Sequence, residues 1–149
     1  MVWGGISAHH RTLLVTIQGN LTGQRYSQEI LCAHVVPHMA RHGGIFMQDN
    51  ARPHTAMVAQ NVLNINRINV LNWPSRSPDL NPIEHRWDAI DRQVRARPRP
   101  PQNRQKLEVA LQQEWQRIPR ITVTNLIQSM HRRCRAVVQA QRGHIRYYY

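Results

Sequence analysis

Two carboxylates in this chain, Asp49 and Glu84, stand where chemistry could be done. A short apolar run from Ile45 to Met47 leads to Asp49. A second, from Ile68 to Leu71, leads through a proline-rich loop to Glu84 at the start of a helix. Carboxylates at a strand end and on a nearby helix can converge on a divalent cation. Magnesium prefers one or two such oxygens together with water and phosphate. Paired metals can activate a water or hydroxyl and stabilise the departing oxygen in phosphodiester chemistry. The same residues admit a structural reading: Asn81, Pro82 and Glu84 form a helix N-terminus with a capping-box variant, and Asp49 fits a loop or cap equally well. Spacing by itself leaves both readings open.

Three segments narrow the choice: M-V-W-G-G-I-S at 1–7, Q-D-N-A-R-P-H at 48–54, and W-P-S-R-S-P-D-L-N-P-I-E-H-R-W at 73–87. Together they resemble the catalytic domain of mariner-type DDE transposases of the Tc/mariner superfamily, and the likeness runs nearly end to end. In that family the second and third acids of an Asp-Asp-Glu triad match Asp49 and Glu84. The branch it resembles has 34 residues between them, as positions 50–83 supply here. The resemblance implies that Asp49 and Glu84 are catalytic and ligate Mg2+ or Mn2+. It implies metal-dependent DNA cleavage and strand transfer, the chemistry of DNA transposition and integration, and a place in the nucleus.

The family's first acid belongs on a strand upstream of residues 1–7, and its helix-turn-helix region lies upstream as well. Neither has a matching position here. The expectation is a truncated catalytic domain over 1–149, inactive alone. Its fold would be a ribonuclease-H-like α/β mixed sheet with flanking helices, lacking its first strand, with a basic helical segment from about residue 98. A non-enzymatic DNA-binding or dimerising remnant is the alternative.

Charge supports a nucleic-acid partner. The formal net charge is +12, and residues 92–149, with twelve Arg, one Lys and two acids, carry +11 of it. Arginine pairs bidentately with phosphate, and a dense basic region is the footprint of nucleic-acid binding. The expected DNA contacts are Arg92, Arg95, Arg97, Arg99, Arg132, Arg133 and Arg135, with a homodimer as a further expectation. No stretch approaches the roughly 20 apolar residues of a membrane span, and no secretory signal is present, so the chain reads as soluble and intracellular with no membrane partner. Cys32 and Cys134 are too few and isolated for a disulfide framework or zinc site; both read as buried free thiols. The pair His34 and His38 encloses Val35, Val36 and Pro37, without the glutamate of a zinc hydrolase.

The elements that must position the acids follow from pattern. Met1 to Ser7 and Leu13 to Gln18 read as a β-hairpin around a turn at Ala8 to Arg11. A helix over Ser27 to Met39 turns Ile30, Leu31, Ala33, His34 and Val35 inward, with Pro37 loosening its last turn. Gly43 and Gly44 break it before a strand over Ile45 to Gln48, a helix over Thr55 to Leu63 and a strand over Ile68 to Leu71. Three prolines make Trp73 to Pro82 a rigid, irregular loop. A helix over Ile83 to Arg97 buries Trp87, Ile90 and Val94. One over Asn103 to Arg117 buries Leu107, Leu111 and Trp115. A last one, about Thr124 to Gln141, buries Leu126, Met130, Cys134 and Val137 and exposes His131, Arg132, Arg133 and Arg135. Gly143 is its expected C-cap, and Arg146 to Tyr149 a mobile tail.

Overall fold

A computed structural model of the chain describes residues 1–74 and 77–139. The packing divides it into two compact units, Met1–Gly4 with Thr12–Ser77, and Gly5–Arg11 with Pro78–Tyr149. The expected cap at Gly143, the end of the last helix at Gln141 and the tail lie outside the described residues.

In the first unit the hairpin is shorter than the pattern predicts. The paired strands are β1, Val2–Trp3, and β2, Val15–Thr16, antiparallel with Val2 opposite Thr16 and Trp3 opposite Val15. The Ile17 N–H extends the pairing to the Met1 carbonyl at 2.8 Å. Gly4 and Gly5 then interrupt the ladder, since glycine offers a strand no side chain to pack. One helical rod follows: α1, Gly23–Arg25, a π-helical stretch over Tyr26–Val35, and α2, Val36–His42. The Thr22 hydroxyl caps its start by accepting from the Arg25 N–H at 3.2 Å.

Pro37 does not loosen the end of this rod. It sits in the first turn of α2, directly after the Val36 N–H bonds to the Leu31 carbonyl in the wide π register. That wider turn, just ahead of a residue without an N–H, keeps the helix continuous. It also rotates successive side chains differently from an α-helix. Tyr26, Ser27, Ile30, Leu31 and Val35 turn inward, while Ala33 and Cys32 are exposed, contrary to the expected stripe and buried thiol.

The first core gathers Ile17, Tyr26, Ile30, Leu31 and Val35 with Ala59 and Leu63, flanked by Trp3, Phe46 and Ile68. Each large side chain fully buried there contributes about 1.5 to 3 kcal/mol. Gly43, at φ 64°, ends α2 with its N–H on the Met39 carbonyl at 2.8 Å. The strands expected at Ile45 to Gln48 and Ile68 to Leu71 reduce to one parallel bridge between Phe46 and Val70. In it the Phe46 N–H donates to the Asn69 carbonyl, and the Leu71 N–H to the Phe46 carbonyl, each at 2.8 Å.

The helix expected at Thr55 to Leu63 divides into α3, Arg52–Thr55, and α4, Met57–Ile65, at extended Ala56. Gly23 meets that break closely, for a Cβ on Gly23 would lie 2.4 Å from the Ala56 Cβ.

The second unit is helical. Its hairpin tip, closed by an Ile6–Arg11 bridge, is held by long-range hydrogen bonds. The Arg11 guanidinium donates to the Ile118 and Gln116 carbonyls at 2.7 and 2.6 Å, and the Thr124 hydroxyl donates to the Ala8 carbonyl at 2.7 Å. The proline loop contains a 3₁₀ turn, Pro78–Leu80, where irregular chain was expected; the fixed φ of Pro78 suits that turn. Helix α5 spans Pro82–Arg95, with Ile90 and Val94 buried. Trp87 stacks on Trp115 with ring centroids 5.4 Å apart.

Helix α6, Arg104–Arg117, begins at the cap Asn103, whose side chain accepts from the Lys106 N–H at 2.9 Å. Its buried residues are Ala110, Glu114 and Trp115, whereas Leu107, expected inside, is 39% exposed. A carboxylate takes an inward position because Arg97 comes to it. The Arg97 guanidinium bonds Glu114 Oε1 through two of its nitrogens and donates to the Ala110 carbonyl, while Arg117 reaches the same oxygen at 3.2 Å.

The expected last helix is two, α7, Arg120–Gln128, and α8, Met130–Gln139, separated at Ser129. This break resets the inward face. Arg133 is buried, donating to the Leu126 carbonyl at 3.3 Å and to the Met130 sulfur at 2.9 Å, while Cys134 is exposed. Among the described residues the only paired strands are those of the two-stranded sheet, with two isolated bridges beside it.

Candidate acidic site and basic surface

Asp49 lies in the first unit on a turn that its own sequence builds. The carboxylate Oδ1 accepts from the Ala51 N–H two residues on, at 3.1 Å. Such an Asx turn is a local device that favours Asp or Asn. The same oxygen meets His54 Nδ1 at 2.5 Å. A carboxylate can only accept, so the imidazole proton in that bond sits on Nδ1.

Both neighbours of Asp49 are tethered. The Gln48 carbonyl oxygen of the side chain accepts from the Tyr26 hydroxyl at 2.5 Å, and the Asn50 amide donates to the Trp73 carbonyl at 3.0 Å. Tyr26 is fully buried and its ring lies 4.3 Å from the His54 ring. Its phenol is held well above the ordinary value, first by burial and then by the charge of Asp49.

Glu84 lies in the second unit, in the first turn of α5. Asn81 caps this helix: its side-chain oxygen accepts from the Ile83 N–H at 3.4 Å, and its amide donates to Glu84 Oε1 at 3.2 Å. Pro82 takes the first helical position, where no N–H is needed. An acid here also favours the positive end of the helix dipole. Metal donation and capping are therefore compatible roles for Glu84.

The donor chemistry fits a hard divalent cation at Asp49. The side chain is 54% exposed, and its Oδ2 makes no hydrogen bond among the described residues. No three His, Cys, Asp or Glu side chains come together as metal donors among the described residues. The sequence pattern marks Asp49 but not Tyr26, Gln48, Asn50 or His54, although three of these stand in the string Q-D-N-A-R-P-H at 48–54.

The basic surface is smaller than expected. Arg92, Arg95, Arg99, Arg132 and Arg135 are exposed. Arg95 pairs with Asp91 at 2.7 Å, and its guanidinium is raised in pKa by that hydrogen bond. Arg97 and Arg133 turn inward, for the reasons given above. A cleft of about 890 Å³ beside this surface is lined by Arg99, Gln102, Gln105, Lys106 and Gln113 among others, with no acid in its wall. No helix among the described residues is long and apolar enough to cross a membrane.

Comparison with known proteins gives a consistent result. Residues 1–108 match the family model described as DDE superfamily endonuclease. The transposable element Tcb1 transposase of Caenorhabditis briggsae is 37% identical over 145 residues, covering 95% of this chain and 52% of that protein. The chain thus spans about half the length of the curated relatives it matches.

Among solved structures, the Mos1 transposase catalytic domain with Raltegravir and Mn aligns with a TM-score of 0.76 at 18% identity, covering 93% of this chain and 72% of that one. The Mos1 paired-end complex with left transposon end aligns with a TM-score of 0.76 at 17% identity, over 93% and 41% respectively. The likeness supports a ribonuclease-H-like fold, here rich in helix with a small sheet. By its matched residues and its similarity to Tcb1, the chain belongs to the Tc1/mariner family of DDE transposases.

Proposed function

We propose that residues 1–149 form part of a transposase catalytic domain for metal-dependent DNA cleavage and strand transfer, with Asp49 and Glu84 as two of its acids. The observation that carries this reading is the Asp49 turn. An exposed carboxylate is held there by its own motif, with one oxygen that makes no hydrogen bond among the described residues. Similarity to Tcb1 and the presence of Mn in the Mos1 structure support the assignment. Bound magnesium or manganese would supply positive charge for activating a nucleophile and stabilising a departing oxygen. The chain's own part is to fix two carboxylates and to hold DNA.

That holding falls to Arg92, Arg95, Arg99, Arg132 and Arg135. Phosphate contacts of this kind position a duplex without reading it, so binding is sequence-independent and falls steeply with salt. A homodimer and a nuclear location belong to the same proposal. Residues 1–149 offer two acids of the family's triad, and loss of one carboxylate removes both placement and charge compensation. By themselves they neither nick nor join DNA.

The test is a fusion that places the preceding half of the Tcb1 transposase ahead of Met1, assayed on Tcb1 transposon ends in manganese. Cleavage by the fusion that disappears in Asp49→Ala and in Glu84→Ala is the expected result, with none from residues 1–149. Cleavage indifferent to both substitutions refutes the assignment of the acids. Cleavage by residues 1–149 that needs both acids refutes the requirement for a third. A basic, non-enzymatic role remains as a second reading, favoured by the five exposed arginines: DNA binding that survives chelation and Asp49→Ala, with no cleavage by the fusion, would establish it.

A further inference from the structure

His54 is the group at the Asp49 turn that the metal reading leaves without a task. Its side chain is only 17% exposed, beside a carboxylate that is 54% exposed. Nδ1 lies 2.5 Å from Asp49 Oδ1 and 3.3 Å from the Asp49 carbonyl, so the ring addresses both the side chain and the backbone of that one residue. Its own N–H donates to the Ala51 carbonyl at 2.8 Å, closing the turn from the other side.

The ring cannot swing away freely, because the Tyr26 ring lies 4.3 Å from it at 40°. Tyr26 is itself fixed, with no exposed surface and its hydroxyl on Gln48, the residue before Asp49. A buried aromatic ring thus backs an imidazole that grips a solvent-facing acid.

We propose that His54 is a positioning residue: by occupying Asp49 Oδ1 together with the Ala51 N–H, it leaves Oδ2 as the one oxygen offered to a divalent cation. The inference rests on the reading of Asp49 as a metal ligand. Hydrogen bonds to an ionised carboxylate are shorter and roughly twice as strong as neutral ones. Without the imidazole, the carboxylate would be restrained only by the 3.1 Å turn bond and would sample other rotamers. Partners one shell out from a metal ligand set its affinity in this way.

The measurement is manganese affinity of the fusion that carries the preceding half of the Tcb1 transposase ahead of Met1, read from the electron paramagnetic resonance of free Mn2+, with circular dichroism confirming that each variant folds. Asp49→Ala should lose the site. His54→Ala, and His54→Phe, which keeps a ring against Tyr26 but removes the donor, should each weaken binding by about 10-fold. His54→Asn, whose amide nitrogen stands near the place of Nδ1, should come back to within roughly 3-fold of the parent.

Parent-like affinity in His54→Phe, with the site lost in Asp49→Ala, would overturn the positioning role and leave the ligand reading standing. Equal weakening in Phe and Asn would also overturn it, because a side chain that restores a donor would then do no better than one that lacks it. No manganese binding by the parent, or binding unchanged in Asp49→Ala, would instead remove the ligand reading and this inference with it.

Discussion

In the first unit Asp49 sits on a turn that no single element forms, pinned by His54, by neighbours tied to Tyr26 and Trp73, and by α3 lying against Gly23. In the second unit Glu84 sits on a regular helix whose cap, first proline and acid fall within four consecutive residues, 81–84. The cores differ in parallel. The first is apolar apart from Ser27 and the tethered Tyr26 hydroxyl, while the second encloses Glu114 and Arg133. The unit that holds most of the positive charge therefore spends some of its arginines inside, and an arginine count overstates its basic face. Position by tertiary packing and position by local chemistry fail under different substitutions, which separates them by experiment.

The largest effect should come from the buried ion pair. Removing one partner strands the other without compensation, at a cost of about 3 to 5 kcal/mol. Arg97→Ala leaves Glu114, 6% exposed, with only Arg117, which is itself 70% exposed. Urea denaturation of the chain should therefore show a loss of about 3 kcal/mol. Replacing both partners by leucine should restore most of it, since apolar groups carry no desolvation cost. A single-variant loss well under about 1 kcal/mol would mean that Arg117 and solvent already satisfy Glu114, as a surface pair would allow.

A smaller effect is expected at Gly23, on the Asp49 side. Its added Cβ would meet Ala56 at 2.4 Å, and that Cβ is held by the backbone joining α3 to α4. Forcing a methyl into such a contact costs about 1 to 3 kcal/mol. Because α3 carries His54, Gly23→Ala should also weaken manganese binding, whereas Arg97→Ala should not. Equal manganese affinity in Gly23→Ala and the parent would show that the turn holds Asp49 without support from the rod behind it.

These contrasts also explain which features could be read in advance. The start of α5 was legible because Asn81, Pro82 and Glu84 act on each other within one turn, and the start of α6 at Asn103 for the same reason. Strand extent at 45–48 and 68–71 was not. A strand exists by pairing, and apolar content at Ile45, Phe46, Ile68 and Val70 says nothing of how many bonds form. The π register of Tyr26–Val35 has no distinct signature in residue type, so Cys32 and Ala33 were assigned to a face they do not occupy. Glu114 defeated the hydrophobic pattern because a distant partner, Arg97, meets it from beyond the end of α5, and Arg133 because the break at Ser129 turns it toward the Leu126 carbonyl and the Met130 sulfur. Asp49 was legible as a candidate from its motif, yet its grip by His54 required the turn to be seen.

The smallest effect belongs to the local device at Glu84. Asn81 bonds to the Ile83 N–H and to the Glu84 carboxylate, so it joins the helix start to the acid. Asn81→Ala removes both bonds and should cost about 1 kcal/mol, the usual loss for a capping residue. Asn81→Asp keeps the acceptor for the Ile83 N–H but sets a second carboxylate against Glu84. It should therefore hold the helix start by circular dichroism and amide exchange while weakening the hold on Glu84. If Glu84 acts as the proposed ligand, the cleavage rate of the Tcb1 fusion should fall more in Asn81→Asp than stability does. Parallel losses of stability and cleavage in the two variants would reduce Asn81 to a cap alone and show that α5 places Glu84 without it.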